Sequence, residues 1–521
     1  MLLLEAQKIK QSIKDRILLD IDHVQIHKKD RIGLVGKNGS GKTTLLNILA
    51  GKRKPDEGTV IHHTQMELLP QLKRTDTTKS GGEVTQEYIN KALINDPDLL
   101  FADEPTTNLD AEHIEWLEKK LSQWKGAFVV VSHDRAFLDT LCTTIWEIDD
   151  GTIREYKGNY QDYAEQKKVE RRKEQLAYET YEKKKKQLEE ALKQKEKKAE
   201  RATKTPKKVS KSEARITGAK PYFAKKQKKL QQTAKSIETR IEKLEKVDKV
   251  REYPPLKMNL PNEETFTDRI ILRVQEASAN IGERVLWNKA SFHLRGGDKL
   301  AIIGSNGSGK TTLVKMIMNQ TEGITVSAMK VGYFSQNLSI IDLKKSILDN
   351  VCEDSKHDET FIRTVLARLH FFKEDVNKPG DLLSGGERVK VALAKVFLSD
   401  INTLVLDEPT NYLDMEAVEA LESLLKEYGG SVIFVSHDRR FIEQVATRIL
   451  EIRNEELHLF EGTYQQYKQS YDGESRSANE DKRLVIETKI TEVLSRLSIE
   501  PSEALEKEFQ ELLLEKKRLT N

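Results

Sequence analysis

The sequence predicts an α/β protein in which one domain occurs twice, the copies being joined by a long α-helical hairpin and followed by a C-terminal helical extension. Three observations carry that prediction. Four blocks recur in one order: "GKNGSGKTT" and "GSNGSGKTT", "KSGGE" and "LSGGE", "ADEPTTNLD" and "LDEPTNYLD", "VVSHDR" and "FVSHDR". Ordered self-similarity of this kind marks a duplicated domain. Between the copies, Leu230, Ala234, Ile237, Ile241 and Leu244 are spaced four, three, four, three, the seam of a coiled coil. Charge is also uneven: residues 165–252 hold 30 Lys and Arg against 15 Asp and Glu, a net of +15, which leaves −12 on the rest of a chain whose total is +3.

At 521 residues the chain is too long for one core. Hydrophobic and charged contents of 37% and 33% fit packed domains beside long solvated helices. No apolar run approaches the roughly 18 to 20 residues of a membrane span; "AFVVV" and "TLVLD" read as buried strands, and "MLLLEAQ" is too short for a signal peptide. Cys142 and Cys352 lack metal spacing and read as core thiols. A soluble, cytoplasmic protein is expected, without membrane contact. Its expected divisions are 1–163 for the first copy, 164–252 for the linker with a tip near 203–223, 253–471 for the second copy and 472–521 for the extension.

In each copy the first block lies between a buried strand and a helix, "RIGLVG" and "TTLLNILAG" in copy one. That is the setting of a phosphate-binding loop. Gly36, Asn38, Gly39, Gly41, Lys42, Thr43 and Thr44, with Gly304, Asn306, Gly307, Gly309, Lys310, Thr311 and Thr312, are the expected nucleotide contacts. Glycines let the backbone turn around phosphates, Lys42 and Lys310 neutralise them, and the Thr43 and Thr311 hydroxyls ligate Mg²⁺. "LLFADEP" and "TLVLDEP" are strands ending in two carboxylates. Asp103 or Asp407 can hold the metal, while Glu104 or Glu408, on the opposite side of an extended chain, polarises an attacking water. His133 and His437 follow further β-branched strands and are read as γ-phosphate contacts. The Ser-Gly-Gly residues, Ser80, Gly81 and Gly82 or Ser384, Gly385 and Gly386, offer backbone donors at a helix start. They lie 38 residues from Lys42 and 74 from Lys310, so neither set need serve its own copy's nucleotide.

The register between copies shifts inside the domain. Gly36 and Gly304 are 268 positions apart and Gln71 and Gln336 are 265, but Ser80 and Ser384, like His133 and His437, are 304 apart. Copy one therefore lacks about 39 residues that in copy two include the helical pattern "DETFIRTVLARLHFF".

In the linker, Val169, Leu176, Leu188 and Leu192 form a second, less regular stripe, so two antiparallel helices are expected, the first roughly 60 Å long over residues 165–204 at 1.5 Å per residue. The join, "TKTPKKVSKSEARITGAKPYF", carries Lys204, Lys207, Lys208, Lys211, Arg215, Lys220, Tyr222 and Phe223 among helix breakers. Basic charge suits DNA or RNA phosphates alike, and splayed bases of folded RNA suit the aromatic pair. The apolar periodicity after residue 472, broken at Pro501, reads as a helical hairpin.

These motifs together resemble the ABC ATPases of the ABC-F class, and the linker block resembles the Vga-type antibiotic-resistance members of Gram-positive bacteria. The resemblance implies an ATPase with ATP and Mg²⁺ bound head to tail, Lys42 facing Ser384 and Lys310 facing Ser80, Gln71 and Gln336 as metal and water contacts, and Asp110 and Asp414 as interface aspartates. It further implies a monomer with two intramolecular ATP sites, binding the 70S ribosome at the exit site, near 23S rRNA and P-site tRNA. There the tip would displace lincosamide, pleuromutilin or streptogramin A drugs. An extension contacting the small subunit is also implied; packing onto copy two is the alternative. The sequence departs from the family at Lys79, where leucine is usual, and "KIKQSIKDRILL" and "SANIGERVLW" offer no aromatic where ABC proteins often stack adenine. A housekeeping translation factor, a DNA-repair ATPase and a transporter subunit are the rival functions, the last disfavoured by fusion through the basic linker.

Overall fold

The computed structural model describes residues 1–13, 16–70, 81–94, 96–107, 109–202, 219–244, 266, 268–335, 340–411, 413–470, 489 and 493. Contacts divide the chain into two units, Met1–Tyr160 with Pro255–Asn521, and Gln161–Pro254.

In copy one, β1 (Leu2–Ile13), β2 (Arg16–His27) and β4 (Glu57–His62) form an antiparallel sheet in the order β2-β1-β4. A six-stranded sheet contains β5 (Met66–Leu69), β6 (Leu99–Asp103), β7 (Ala127–Val131), β3 (Arg31–Gly36), β8 (Thr144–Asp149) and β9 (Thr152–Lys157), in that spatial order. It is parallel except for the β9 edge. Helices α1 (Lys42–Leu49), α2 (Gly81–Ile94), α3 (Ala111–Gln123) and α4 (Arg135–Leu141) complete the copy. β6 and β7, "LLFAD" and "AFVVV", are buried along their whole length, as inner parallel strands must be. Each such Val, Leu or Phe contributes about 1.5–3 kcal/mol of burial.

Copy two repeats the plan. β10 (Ile270–Ile281), β11 (Arg284–Arg295) and β13 (Ile324–Val326) form the small sheet. β14 (Val331–Phe334), β15 (Thr403–Asp407), β16 (Ser431–Val435), β12 (Lys299–Gly304), β17 (Arg448–Arg453) and β18 (Glu456–Glu461) form the large one. Its helices are α7 (Lys310–Asn319), α8 (Ile347–Cys352), α9 (Glu359–Arg368), α10 (Gly385–Phe397), α11 (Met415–Glu427) and α12 (Arg439–Val445). The helical insert lies where the register shift places it. Helices α8 and α9 and two short 3-10 turns stand between β14 and α10, with Ile362, Val365 and Leu366 buried in the core. Cys142 is buried as expected; Cys352 is only partly covered, at the edge of that core. Among the described residues no helix is long and apolar enough to cross a membrane.

The second unit contains most of α5 (Tyr160–Ala202) and α6 (Ala219–Glu242). At 43 residues, α5 is about 64 Å long. The α6 seam is present as far as Ile241: Ala234 and Ile237 are buried and Leu230 and Ile241 partly covered, while Leu244, also partly covered, lies past the helix end at Glu242. The α5 stripe holds only in its distal half. Leu188 and Leu192 are partly covered, but Val169 and Leu176 are 52% and 55% exposed, and the six residues between them, "ERRKEQ", are all polar or charged. A second correction concerns the tip: α6 begins at Ala219, so Lys220, Pro221, Tyr222 and Phe223 belong to a helix rather than to the joining loop. Pro221 sits in the first turn, where its missing N–H has no helical partner to lose. Lys204, Lys207, Lys208, Lys211 and Arg215 lie outside the described residues, as do Gln71, Lys79, Ser80, Gln336 and the extension apart from Lys489 and Val493.

Candidate active site

Strand β3 ends at Gly36 and α1 begins at Lys42; β12 and α7 repeat this with Gly304 and Lys310. The intervening chain passes through Gly39 and Gly41 at φ 79° and 101°, and through Gly307 and Gly309 at 75° and 101°. Only glycine takes such angles without strain. Gly41 is also crowded: a Cβ there would lie 3.0 Å from both Leu18 and Leu19. The loop thus delivers the chain to a helix N-terminus, which favours anions. Lys42 Nζ donates to the carbonyls of Gly36 and Lys37 at 2.7 and 3.0 Å, and Lys310 Nζ to those of Gly304 and Ser305 at 2.9 Å each. Burial pulls the Lys42 ammonium below its ordinary value, and Glu104, Asp414 and Asp103 oppose it.

The acidic pair departs from the expected extended chain. The Glu104 N–H still donates to the Val131 carbonyl at 2.9 Å, and Glu408 to that of Val435 at 3.0 Å, continuing the ladder by one bond. Yet both glutamates have φ 52°, a left-handed conformation that costs a non-glycine residue about 1–3 kcal/mol. The turn replaces the alternation of a strand, so that Asp103 and Glu104 line one cavity rather than opposite sides. Burial raises Asp103 and Asp407 above the usual carboxylate range.

Each histidine meets its glutamate: His133 Nε2 lies 3.1 Å from Glu104 Oε1, and His437 Nε2 lies 3.3 Å from Glu408 Oε1. The His133 backbone N–H also donates to Glu104 Oε2 at 3.3 Å. Burial first, then Lys310, push His437 down to about 3, so its imidazole is neutral at neutral pH.

The residues present fit Mg²⁺. The Thr43 hydroxyl is hydrogen-bonded to Asp103, and Thr311 Oγ1 donates to Asp407 Oδ1 at 3.4 Å. Asp103 Oδ1 is buried with no hydrogen-bond partner among the described residues. One hydroxyl and one carboxylate beside a phosphate loop are the oxygen donors Mg²⁺ takes when phosphates supply the remainder.

The two copies meet across this chemistry. A cavity of about 570 Å³ is lined by Lys42, Thr43 and Glu104 of copy one together with Ser384, Gly385 and Gly386 of copy two. Ser384 caps α10 by accepting from the Glu387 N–H at 3.3 Å, while Glu387 Oε2 accepts from the Ser384 N–H at 2.8 Å. This reciprocal capping box fixes the helix start at the cavity wall. Asp110 Oδ2 accepts from the Asn306 N–H at 2.9 Å, and Asp414 Oδ2 from that of Asn38 at 3.3 Å, so each interface aspartate holds the other copy's phosphate loop. Burial opposes ionisation of Asp110, but the Asn306 and His113 donors hold it below the ordinary range.

Sequence reasoning missed a second set of crossing contacts. Arg135 is ion-paired with Glu422, and Arg439 with Glu118, related by the same 304-residue offset as the histidines. Arg135 and Glu422 are 3% and 7% exposed. The signal was in the repeat, because "HDR" occurs identically in both fourth blocks. The expectation that "SANIGERVLW" offers no aromatic needs correcting, since it ends in Trp287; that ring is fully buried against Gly309 and presents no face for a base, whereas Ile13 and Leu18 line the first cavity.

A family model described as ABC transporter matches residues 19–75 and 287–411. The erythromycin resistance ATP-binding protein MsrA of Staphylococcus epidermidis is 34% identical over 485 residues, 87% of this chain and 98% of that protein. The ribosome protection protein VmlR of Bacillus subtilis is 33% identical over 526 residues, 94% of this chain and 92% of that protein. Among solved structures, one titled RNase-L Inhibitor aligns with a TM-score of 0.57 at 17% identity, covering 88% of this chain and 90% of that one, a likeness of fold.

Proposed function

The chain belongs to the ABC-F family of ATPases, and from that premise we propose that it protects ribosomes from drugs bound at the peptidyl-transferase centre. It is an ABC-type ATPase with two ATP-binding domains. In the proposed cycle Lys42 and Lys310 hold the triphosphates, with Thr43, Asp103 and Gln71 and their counterparts Thr311, Asp407 and Gln336 retaining Mg²⁺, which would offset phosphate charge. Ser384 and Ser80 close from the opposite copy. Glu104 and Glu408 polarise the attacking water, and the neutral imidazole of His437 orients Glu408. Closure places the linker tip, from the exit site of the 70S ribosome, among 23S rRNA and P-site tRNA; hydrolysis releases it. The protein acts in the cytoplasm as a monomer, without a transporter subunit.

The observation that carries this reading is the composite cavity. Because Lys42 and Ser384 line one space, a triphosphate there draws the copies together, so nucleotide state governs whatever is attached to both. The ribosome as partner is supported by the relative named for ribosome protection, and by a linker whose +15 charge suits a polyphosphate surface. Lincosamides, pleuromutilins and streptogramin A drugs are the proposed classes displaced.

Removing residues 207–218 from the full chain tests it. Ribosome pelleting should persist, while resistance of the host strain falls to that of a strain lacking the gene. Retained resistance would contradict the proposal; a gene deletion that alters translation but no drug sensitivity would favour a housekeeping factor.

A further inference from the structure

The duplicated "SHDR" blocks are followed by different residues, Ala136 in copy one and Arg440 in copy two. The matched arginines, Arg135 and Arg439, both cross the interface. Arg440 has no counterpart, and it reaches Tyr160, its guanidinium carbon lying 5.8 Å from the centre of that ring. This is within cation–π range. Tyr160 is the first residue of α5 and is 3% exposed. Burial first, then Glu419 of copy two, raise its phenol above the ordinary value, so the ring is neutral.

The surroundings belong to both copies. Arg135 of copy one lies 4.0 Å from Glu419 and is paired with Glu422, and Tyr160 feels all three charges. The equivalent tyrosine 304 positions on, Tyr464, feels the matching charges of Arg439 and of Glu115 from the opposite copy but has no counterpart of Arg440: its ring stacks on Tyr467 with centroids 6.0 Å apart, and Lys468 lies 5.4 Å from it. Both of those partners are in its own segment. The cation from the opposite copy is thus present at the tyrosine that begins the linker helix, and Ala136 cannot provide one at the other.

We infer that Arg440 and Tyr160 form the grip through which closure of the two ATPase copies is passed to the root of the linker helix. The inference rests on the closure proposed above. When the copies part, Arg440, Glu419 and Glu422 leave with copy two while Tyr160 remains joined to copy one by the chain. Tyr160 then loses its cover. Arg440 is a positioning residue: it touches no part of the nucleotide cavity.

Hydrogen exchange on the full chain tests this, using a parent carrying Glu104→Gln and Glu408→Gln, with and without Mg-ATP. In the parent, ATP should slow exchange at the phosphate loops and at residues 163–170 of α5. With Arg440→Ala added, slowing at the loops should persist and the ATP-dependent slowing at 163–170 should be largely lost; Arg440→Lys, which keeps the cation, should restore it. Equal slowing at 163–170 in the alanine variant would overturn the grip. Absence of slowing at the loops in the parent would overturn closure itself, and the grip with it.

Discussion

In the first copy Gly41 has φ 101° and Glu104 φ 52°; in the second, Gly309 and Glu408 have the same two angles. The crossing contacts agree as well, Asp110 on Asn306 matching Asp414 on Asn38, and Arg135 on Glu422 matching Arg439 on Glu118. Around these matched bonds the copies diverge, in one case at a crossing aspartate itself. Copy two has α8 and α9 before its Ser-Gly-Gly, while in copy one only residues 70–80 separate β5 from α2. Leu383 is buried where copy one has Lys79; Lys390, 3.6 Å from Asp414, stands where copy one has Gln86. Arg440 stands opposite Ala136. The loop angles, the glutamate turns and the crossing bonds are duplicated, and the side chains and helices around them are not.

The comparison breaks most severely at the glutamates. Glu104→Gln with Glu408→Gln should lower phosphate release by about 10²–10⁴-fold. Because the two centres match, each single variant should lose the same factor as the other; unequal losses would mean that the divergent surroundings reach the chemistry.

Next come the crossing arginines. Arg135→Ala leaves Glu422 buried and uncompensated, which should weaken the closed state by about 3–5 kcal/mol, read as a rise in the ATP concentration for half-maximal turnover. Arg439→Ala should do somewhat less, because Glu118 is better exposed, at 12% against 9% for the Glu422 side chain. The reversal Arg135→Glu with Glu422→Arg should recover most of the loss.

A smaller effect separates the two loops. Alanine at Gly41 or Gly309 pays a left-handed penalty of about 1–2 kcal/mol. Gly309→Ala should lower the unfolding temperature further, since its Cβ would lie 2.5 Å from the Trp287 ring against 3.0 Å from Leu18 and Leu19 at Gly41.

The last is a pH effect at the interface, confined to the range above the ordinary carboxylate value. Burial first and Asp438 second push Asp134 up to about 6 from an ordinary 3.8. A carboxyl whose folded value is raised stabilises the fold below the unfolded value and loses that contribution as pH rises through the folded one. Asp134→Asn keeps a side chain able to cap α4, so its unfolding temperature should gain on the parent's above pH 6 and not below pH 4.

Much of this was legible in the sequence because duplication acts as an internal control. Strand, loop and helix around Lys42 and Lys310 follow from apolar runs interrupted by glycine, and the register shift located the helical insert. Ser384 and Glu387 spelled a capping box whose reciprocal bonds could have been read directly. The left-handed Glu104 could not be read, because strand periodicity predicts an extended residue and the turn is imposed by tertiary packing. Nor could the partner of Arg135, since nothing local links it to a glutamate 287 positions away. The start of α6 was placed too late because Pro221 was taken as a break, though a first turn accepts proline.

The most direct test of the central claim, that nucleotide-driven closure governs ribosome binding, is sedimentation of ribosomes with the Glu104→Gln, Glu408→Gln protein. The account predicts that the protein co-sediments when ATP is present and stays in the supernatant without nucleotide. Equal amounts in the ribosome pellet under both conditions, or none under either, would contradict it.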